Sequence, residues 1–416
     1  MGLFQIDIDN KTLIIFITSF IWVLNFRTTF KNIDKHMDSG SYASLKFDPY
    51  IILIKNILCC FFFIGFYCER RINNPKNKIE KKVTRLTKGS IVIFEVKNTK
   101  LQNNYYFGSI LISHKLIKPK EKIIFCIKIL FIIFIIYFIE EIYFIIANNH
   151  ILDRLICPIR NLGTLLALLI FSPLLAKKYS GLYRHQSIPL IIIFIFSIFI
   201  ILFNKINVDR FEKIFKLNFL YYLVSFILMG IEMVLLKYLV DNQYISIFFI
   251  LGIKGIIGTI VFIIINLLFT REDFFNFWDK LLHFEYDEMY EEFEMAPKIY
   301  YIITLLVLQY LKIVIINRFS ENHLISVIMI ADIIYFPFYC LERFYIQDFT
   351  ISTYTTFYIN IILGFINTLL MLIFNEILEC KFWGLNINIK KNINMRQKQE
   401  LINNEMNRDT CYSENE

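Results

Sequence analysis

Long apolar runs broken by short polar gaps set the rhythm of this chain. Residues 12–28, 50–68, 123–146, 156–176, 186–203, 217–240, 244–269, 299–317, 322–341 and 354–378 are each dominated by Ile, Leu, Phe and Val. A helix needs about 20 apolar residues to cross the hydrocarbon of a bilayer, or about 17 when flanking side chains reach back to the interface. Ten helical spans are therefore expected. The first is short, with Arg27 near its end, and the ninth is interrupted by Asp332 and Pro337, which keeps nine spans open as the alternative.

The gaps assign the sides. Basic residues collect in cytosolic loops. The segment 69–122 holds 14 basic and 4 acidic residues, and 270–298 holds 3 basic and 9 acidic. With the first in the cytosol and the second outside, both termini become cytosolic. The tight gap carrying Lys177, Lys178, Arg184 and His185 then falls inside, and only the gap 204–216, with Lys205, Arg210, Lys213 and Lys216, breaks the rule. Asn10-Lys11-Thr12 is a glycosylation triplet that this orientation keeps in the cytosol, so sugar on Asn10 would overturn it. The N-terminus has acidic residues before its apolar run and no small-residue cleavage site, as a retained first span would.

Ten spans divide into 1–203 and 204–378, followed by a polar, Asn-rich tail over 379–416 that is expected to be disordered. Five spans per half force the second half to enter the membrane upside down, the inverted-repeat logic of secondary transporters. In each half the longest loop follows the second span, and each fourth span carries a proline in its later part, Pro173 and Pro337. The expected fold class is an all-α membrane protein with ten transmembrane helices arranged as two inverted five-helix repeats.

Composition removes several classes. Among 416 residues, 56% are hydrophobic and 44 are Phe, too apolar for a soluble domain with a polar shell. The net charge of +8 sits beside apolar spans and comes with no nucleic-acid motif, so no nucleic-acid partner is expected. The eight cysteines show neither secretory pairing nor a metal spacing. His150, His185, His283 and His323 are scattered, and the acidic run from Asp287 to Glu294 lacks the glycine and alternating ligands of a calcium loop. Neither metal nor cofactor is expected, and no catalytic motif favours an enzyme.

The segment RNLGTLLALLIFSPLLAKKYSGLYRHQSIPLIIIF, residues 160–194, resembles the fourth-to-fifth helix hairpin of the drug/metabolite transporter superfamily, which includes EamA-like proteins and nucleotide-sugar transporters. Arg160, Lys177, Lys178, Arg184, His185 and Gln186 stand where that hairpin has its leading Arg and its basic turn. The stretch from Tyr221 to Phe262, a short polar link and a glycine-spaced helix, is similar to the sixth and seventh helices of the same superfamily. The resemblance covers roughly 123–378 and implies a ten-helix carrier, with a central site between its halves, that moves small metabolites by alternating access.

A charge at mid-membrane costs about 2.5–3.5 kcal/mol on insertion scales, so such residues face a cavity or a partner. Glu232, Lys254 and Asp332 lie deep in their spans, Lys312 is shallower, and Arg160 begins the fourth. Gln309 and Lys312 share a helical face, with Thr304 at its edge. Lys55, Glu141 and Lys237 are near enough to helix ends to snorkel. The site reading is that Lys254, Lys312 and Arg160 offer positive charge to an anionic or phosphate-bearing solute, such as a nucleotide sugar, while Asp332 or Glu232 balances them in the empty state. Its competitor is permanent neutralisation by buried ion pairs. Gly252, Gly255 and Thr259 share a face that permits close helix approach. Asn360, Gly364 and Asn367 form a similar stripe in the tenth span, usable for packing or for a homodimer. Tyr301, Tyr335 and Tyr339 fit base or sugar stacking as well as ordinary packing.

Two readings from other classes remain: a membrane-embedded lipid or isoprenoid transferase, and a non-transporting receptor or scaffold. For the first, the only close acidic pair within an apolar span, Glu140 and Glu141, diverges by about 100° around one helix. Plasma membrane and endomembranes of the Golgi or ER are both open.

Overall fold

The structure is a computed structural model that describes residues 4–6, 10–36, 49–72, 119–148, 162–171, 184–207, 211–243, 245–269, 295–344, 351–381, 387, 389 and 392. Expectations about Arg160, Pro173, Lys177 and Lys178, most of the loops 69–122 and 270–298, and most of the tail 379–416 lie outside the described residues.

The described chain is almost entirely helical. In order it forms β1 (Phe4–Ile6), α1 (Asn10–His36), α2 (Pro49–Cys60), α3 (Phe62–Ile72) and α4 (Pro119–Asn148). Then come α5 (Leu162–Phe171), α6 (Arg184–Asn207), α7 (Phe211–Lys237), α8 (Ile247–Phe269) and α9 (Met295–Arg318). It closes with α10 (Glu321–Phe344), α11 (Ile351–Phe374) and β2 (Leu378–Cys380). Five stretches among the described residues are long and apolar enough to cross a membrane: Ile123–Glu141, His185–Phe203, Leu223–Val240, Ile247–Ile265 and Ile299–Arg318. Shorter apolar helical stretches are Thr12–Asn25, Ile52–Cys68, Leu162–Phe171 and Ile361–Phe374.

The helices turn their apolar sides outward. On α4, Ile124, Ile127, Phe131, Phe134 and Phe138 are exposed, while Ile129, Ile133, Ile136 and Tyr137 are buried and Glu140 is half-buried. The same holds for Ile191, Ile195, Ile198 and Leu202 on α6 and for Ile256, Ile260 and Ile264 on α8. Each such side chain left in water forgoes about 1.5–3 kcal/mol of burial, so this surface belongs in lipid. The chain is built as a multi-pass membrane protein.

Several boundaries differ from the sequence expectation. Helix α1 continues past Arg27 to His36. The second apolar segment is broken by a turn at Phe61, which separates α2 from α3. Helix α10 runs unbroken through Asp332 and Pro337, where the sequence expected an interruption. After Lys237, α7 widens into a π turn over Tyr238–Asn242, and Gln243 N donates to Tyr238 O at 3.2 Å.

Packing pairs distant helices. Helix α1 lies against α9 and α10, α2 and α3 against α8, α4 against α7 and α8, α9 against α2, and α6 against α11. Gly163 of α5 meets Phe226 of α7, and Gly230 of α7 meets Thr164 and Ala167 of α5, so these two helices run parallel. Helices α2 and α8 run antiparallel. A Cβ on Gly252 would lie 2.7 Å from the Phe63 ring, and one on Gly255 would lie 2.7 Å from Asn56 O and Cys60 N. The glycine stripe read from the sequence is thus where two backbones touch, as small residues in membrane helices permit.

The two ends of the helical set meet. Helix α11 closes with Ile377 N donating to Leu372 O at 2.9 Å and Glu376 N to Ile373 O at 3.1 Å. Glu376 sits at φ 59 in the left-handed position that glycine usually fills in such a terminus. Its carboxylate reaches His185 Nε2 at 3.1 Å, at the start of α6. Two residues on, β2 begins and pairs antiparallel with β1, matching Ile6 to Leu378 and Phe4 to Cys380.

Candidate functional site

Six charged side chains meet among α2, α4, α7, α8 and α9. Lys55 Nζ of α2 donates to Glu141 Oε1 of α4 at 3.2 Å. The neighbouring Glu140 forms an ion pair with Lys254 of α8. Lys312 Nζ of α9 donates to Glu232 Oε1 of α7 at 2.5 Å. Lys254 also interacts electrostatically with Lys312 and Lys55, so the three pairs share one field. Glu232 and Lys254 are buried; the other four groups are partly so.

Local structure explains the convergence. Glu140 and Glu141 point about 100° apart on α4, and each therefore reaches a different neighbouring helix. Lys254 lies between Gly252 and Gly255, whose missing side chains let α2 close on α8. Lys312 follows Gln309 by three residues and so projects from the same face of α9. In hydrocarbon none of these charges would be tolerated alone, and pairing offsets the cost.

Uncharged polar groups line the same place. Cys59 Sγ donates to Gln309 Oε1 at 3.6 Å, linking α2 to α9. Tyr137 of α4 is buried beside Asn56 and Glu141. Next to Gln309 and one turn after Cys59, the rings of Phe62, Phe248 and Tyr310 stack, with centroids 6.3 Å apart for Phe62–Tyr310 and 5.6 Å for Phe248–Tyr310.

Of the residues expected at the site, Glu232, Lys254, Gln309 and Lys312 are brought together. Asp332 is half-buried on α10, and Arg160 is outside the described residues. Thr304 accepts from Asn25 Nδ2 at 2.8 Å and so serves the α1–α9 contact. Lys55 and Glu141, expected to snorkel, form an ion pair with each other between α2 and α4. Lys237 donates to Ile316 O at 2.7 Å, near the carbonyl-rich end of α9, where a cation is favoured. Tyr301 is 1% exposed in an apolar cluster, which fits the packing reading.

Sequence reasoning missed Asn56, Cys59 and Tyr137. A signal existed: Asn56, Cys59 and Phe63 recur at helical spacing, and Tyr137 precedes Glu140 and Glu141 by three and four residues. Neither the models of known protein families nor the curated proteins yield a match to this chain.

Proposed function

We propose that this chain is a ten-span carrier, built from two inverted five-helix halves with both termini cytosolic, that moves a small anionic or phosphate-bearing metabolite by alternating access. The observation that carries the reading is the charge cluster and its position across the two halves. Lys55, Glu140 and Glu141 come from the first half, and Glu232, Lys254, Gln309 and Lys312 from the second. Three ammonium groups directed at one place form a site for anionic oxygen, and the carboxylates balance them when it is empty. A transferase or a scaffold has no need of a cluster spread over both halves.

The neighbour pairs support the inverted arrangement. Counting α2 with α3 as one span, advancing each helix by five turns the α1–α9 contact into α7–α4, α1–α10 into α7–α5, and α2–α9 into α8–α4. The α2–α8 and α6–α11 pairs map onto themselves. The strand pair joining Phe4–Ile6 to Leu378–Cys380 fits an even number of crossings, since it holds both flanks of the helical set on one side.

Uptake into vesicles carrying the purified protein tests the reading, with nucleotide sugars, phosphorylated metabolites and amines as probes. Lys312→Ala and Lys254→Ala are expected to abolish uptake of an anionic solute at comparable protein yield. Unchanged transport with reduced yield would assign these lysines to structure alone.

A further inference from the structure

The three lysines of the cluster share a property that a bare cationic site would lack: each has its own glutamate. Lys55 is held by Glu141, Lys254 by Glu140 and Lys312 by Glu232. These six groups sum to zero charge without any solute. One of the pairs, Glu140 with Lys254, spans the two halves that alternating access must move against each other.

We propose that the glutamates act as resident counterions that let the empty protein pass between its outward-open and inward-open forms, so that it supports net movement of its solute and not only one-for-one exchange. The inference rests on the carrier reading above. A site whose cations are neutralised only by the solute must carry unpaired ammonium groups through a water-poor closed state whenever it returns empty, and that barrier enforces exchange. Here the solute displaces a carboxylate on entering, and the carboxylate takes the ammonium back when the solute leaves. The same competition favours release over tight retention.

Cys59 gives a reporter that needs no knowledge of the solute. Its thiol is 2% exposed, bonded to Gln309 and within the field of Lys254 and Lys55. The full-length protein is reconstituted in phosphatidylcholine vesicles in mixed orientation, with the fraction facing each way measured from protease protection of a terminal tag. A charged, membrane-impermeant thiosulfonate is added outside without solute, and labelling at Cys59 is followed by peptide mass spectrometry.

Labelling of the whole pool is expected, since molecules of either orientation come to expose the cluster outward. A plateau at the fraction of one orientation, completed by permeant N-ethylmaleimide, would overturn the inference and leave the carrier reading standing. Failure of both reagents to reach Cys59, repeated at Gln309→Cys with Cys59→Ser, would overturn both. Glu232→Gln is expected to slow labelling of the molecules that must first reorient about tenfold by stranding Lys312, and Glu140→Gln to do the same through Lys254. The double variant Glu232→Gln, Lys312→Gln should restore it. Equal rates in the wild type, the single and the double variants would remove the counterion role.

Discussion

The α2–α8 crossing and the α7–α9 contact both hold the centre of this molecule, by opposite means. At the first, Gly252, Gly255 and Gly258 bring one helix against the backbone and side chains of another, and the rings of Phe63 and Phe248 cover the seam. At the second, Glu232 meets Lys312 and Lys237 reaches Ile316 O, so charge and hydrogen bonding supply the contact. Steric closeness admits one arrangement and is lost at once when a side chain is added. Ion pairs admit exchange of partners. The proposed carrier would use both, a fixed seam to pivot on and a contact that can open and re-form.

Gly255→Leu should cost the most, about 3 kcal/mol or more, because its Cβ meets Asn56 O and Cys60 N, backbone atoms that cannot step aside. Its thermal unfolding in detergent and its folded yield would both fall, and a normal melting curve would show that the seam yields. Glu232→Gln strands Lys312 and should cost about 3 kcal/mol at most, with a discount because Lys312 is partly exposed. Adding Lys312→Gln should recover most of that loss in the same unfolding assay. The uptake loss expected for Lys312→Ala separates function from stability at this second contact. Smallest is Gly364→Ala on α11, where a Cβ meets nothing within 4 Å. Removing glycine from a helix interior should there raise stability by about 0.5–1 kcal/mol, and a loss would reveal a partner on that face.

The glycine seam and the polar cluster were legible to different depths. Gly252, Gly255 and Thr259 fall on one face of α8 by periodicity alone, and that face is the one α2 occupies. Glu232, Lys254, Gln309 and Lys312 stood out because a polar side chain deep in an apolar run has few places to go. Lys55 and Glu141 did not stand out, since their nearness to helix ends offered a local way to reach water. Asp332 looked equivalent to Glu232 in one dimension, yet it was Glu232 that faced Lys312. Partner choice depends on which helices are neighbours and which way each turns its face, and charges far apart in sequence carry no record of either.

The sequence by itself determined that this is a helical membrane protein. Apolar runs of the length a bilayer requires leave no alternative that satisfies every backbone group, and the polar positions inside those runs mark where the interior must be. Only the tertiary structure decided how the charges are matched: Lys55 with Glu141, Lys254 with Glu140, Lys312 with Glu232. Length and hydropathy act residue by residue and can be read along the chain. An ion pair needs two groups within a few ångströms across separate helices, and that distance exists only once the helices have packed.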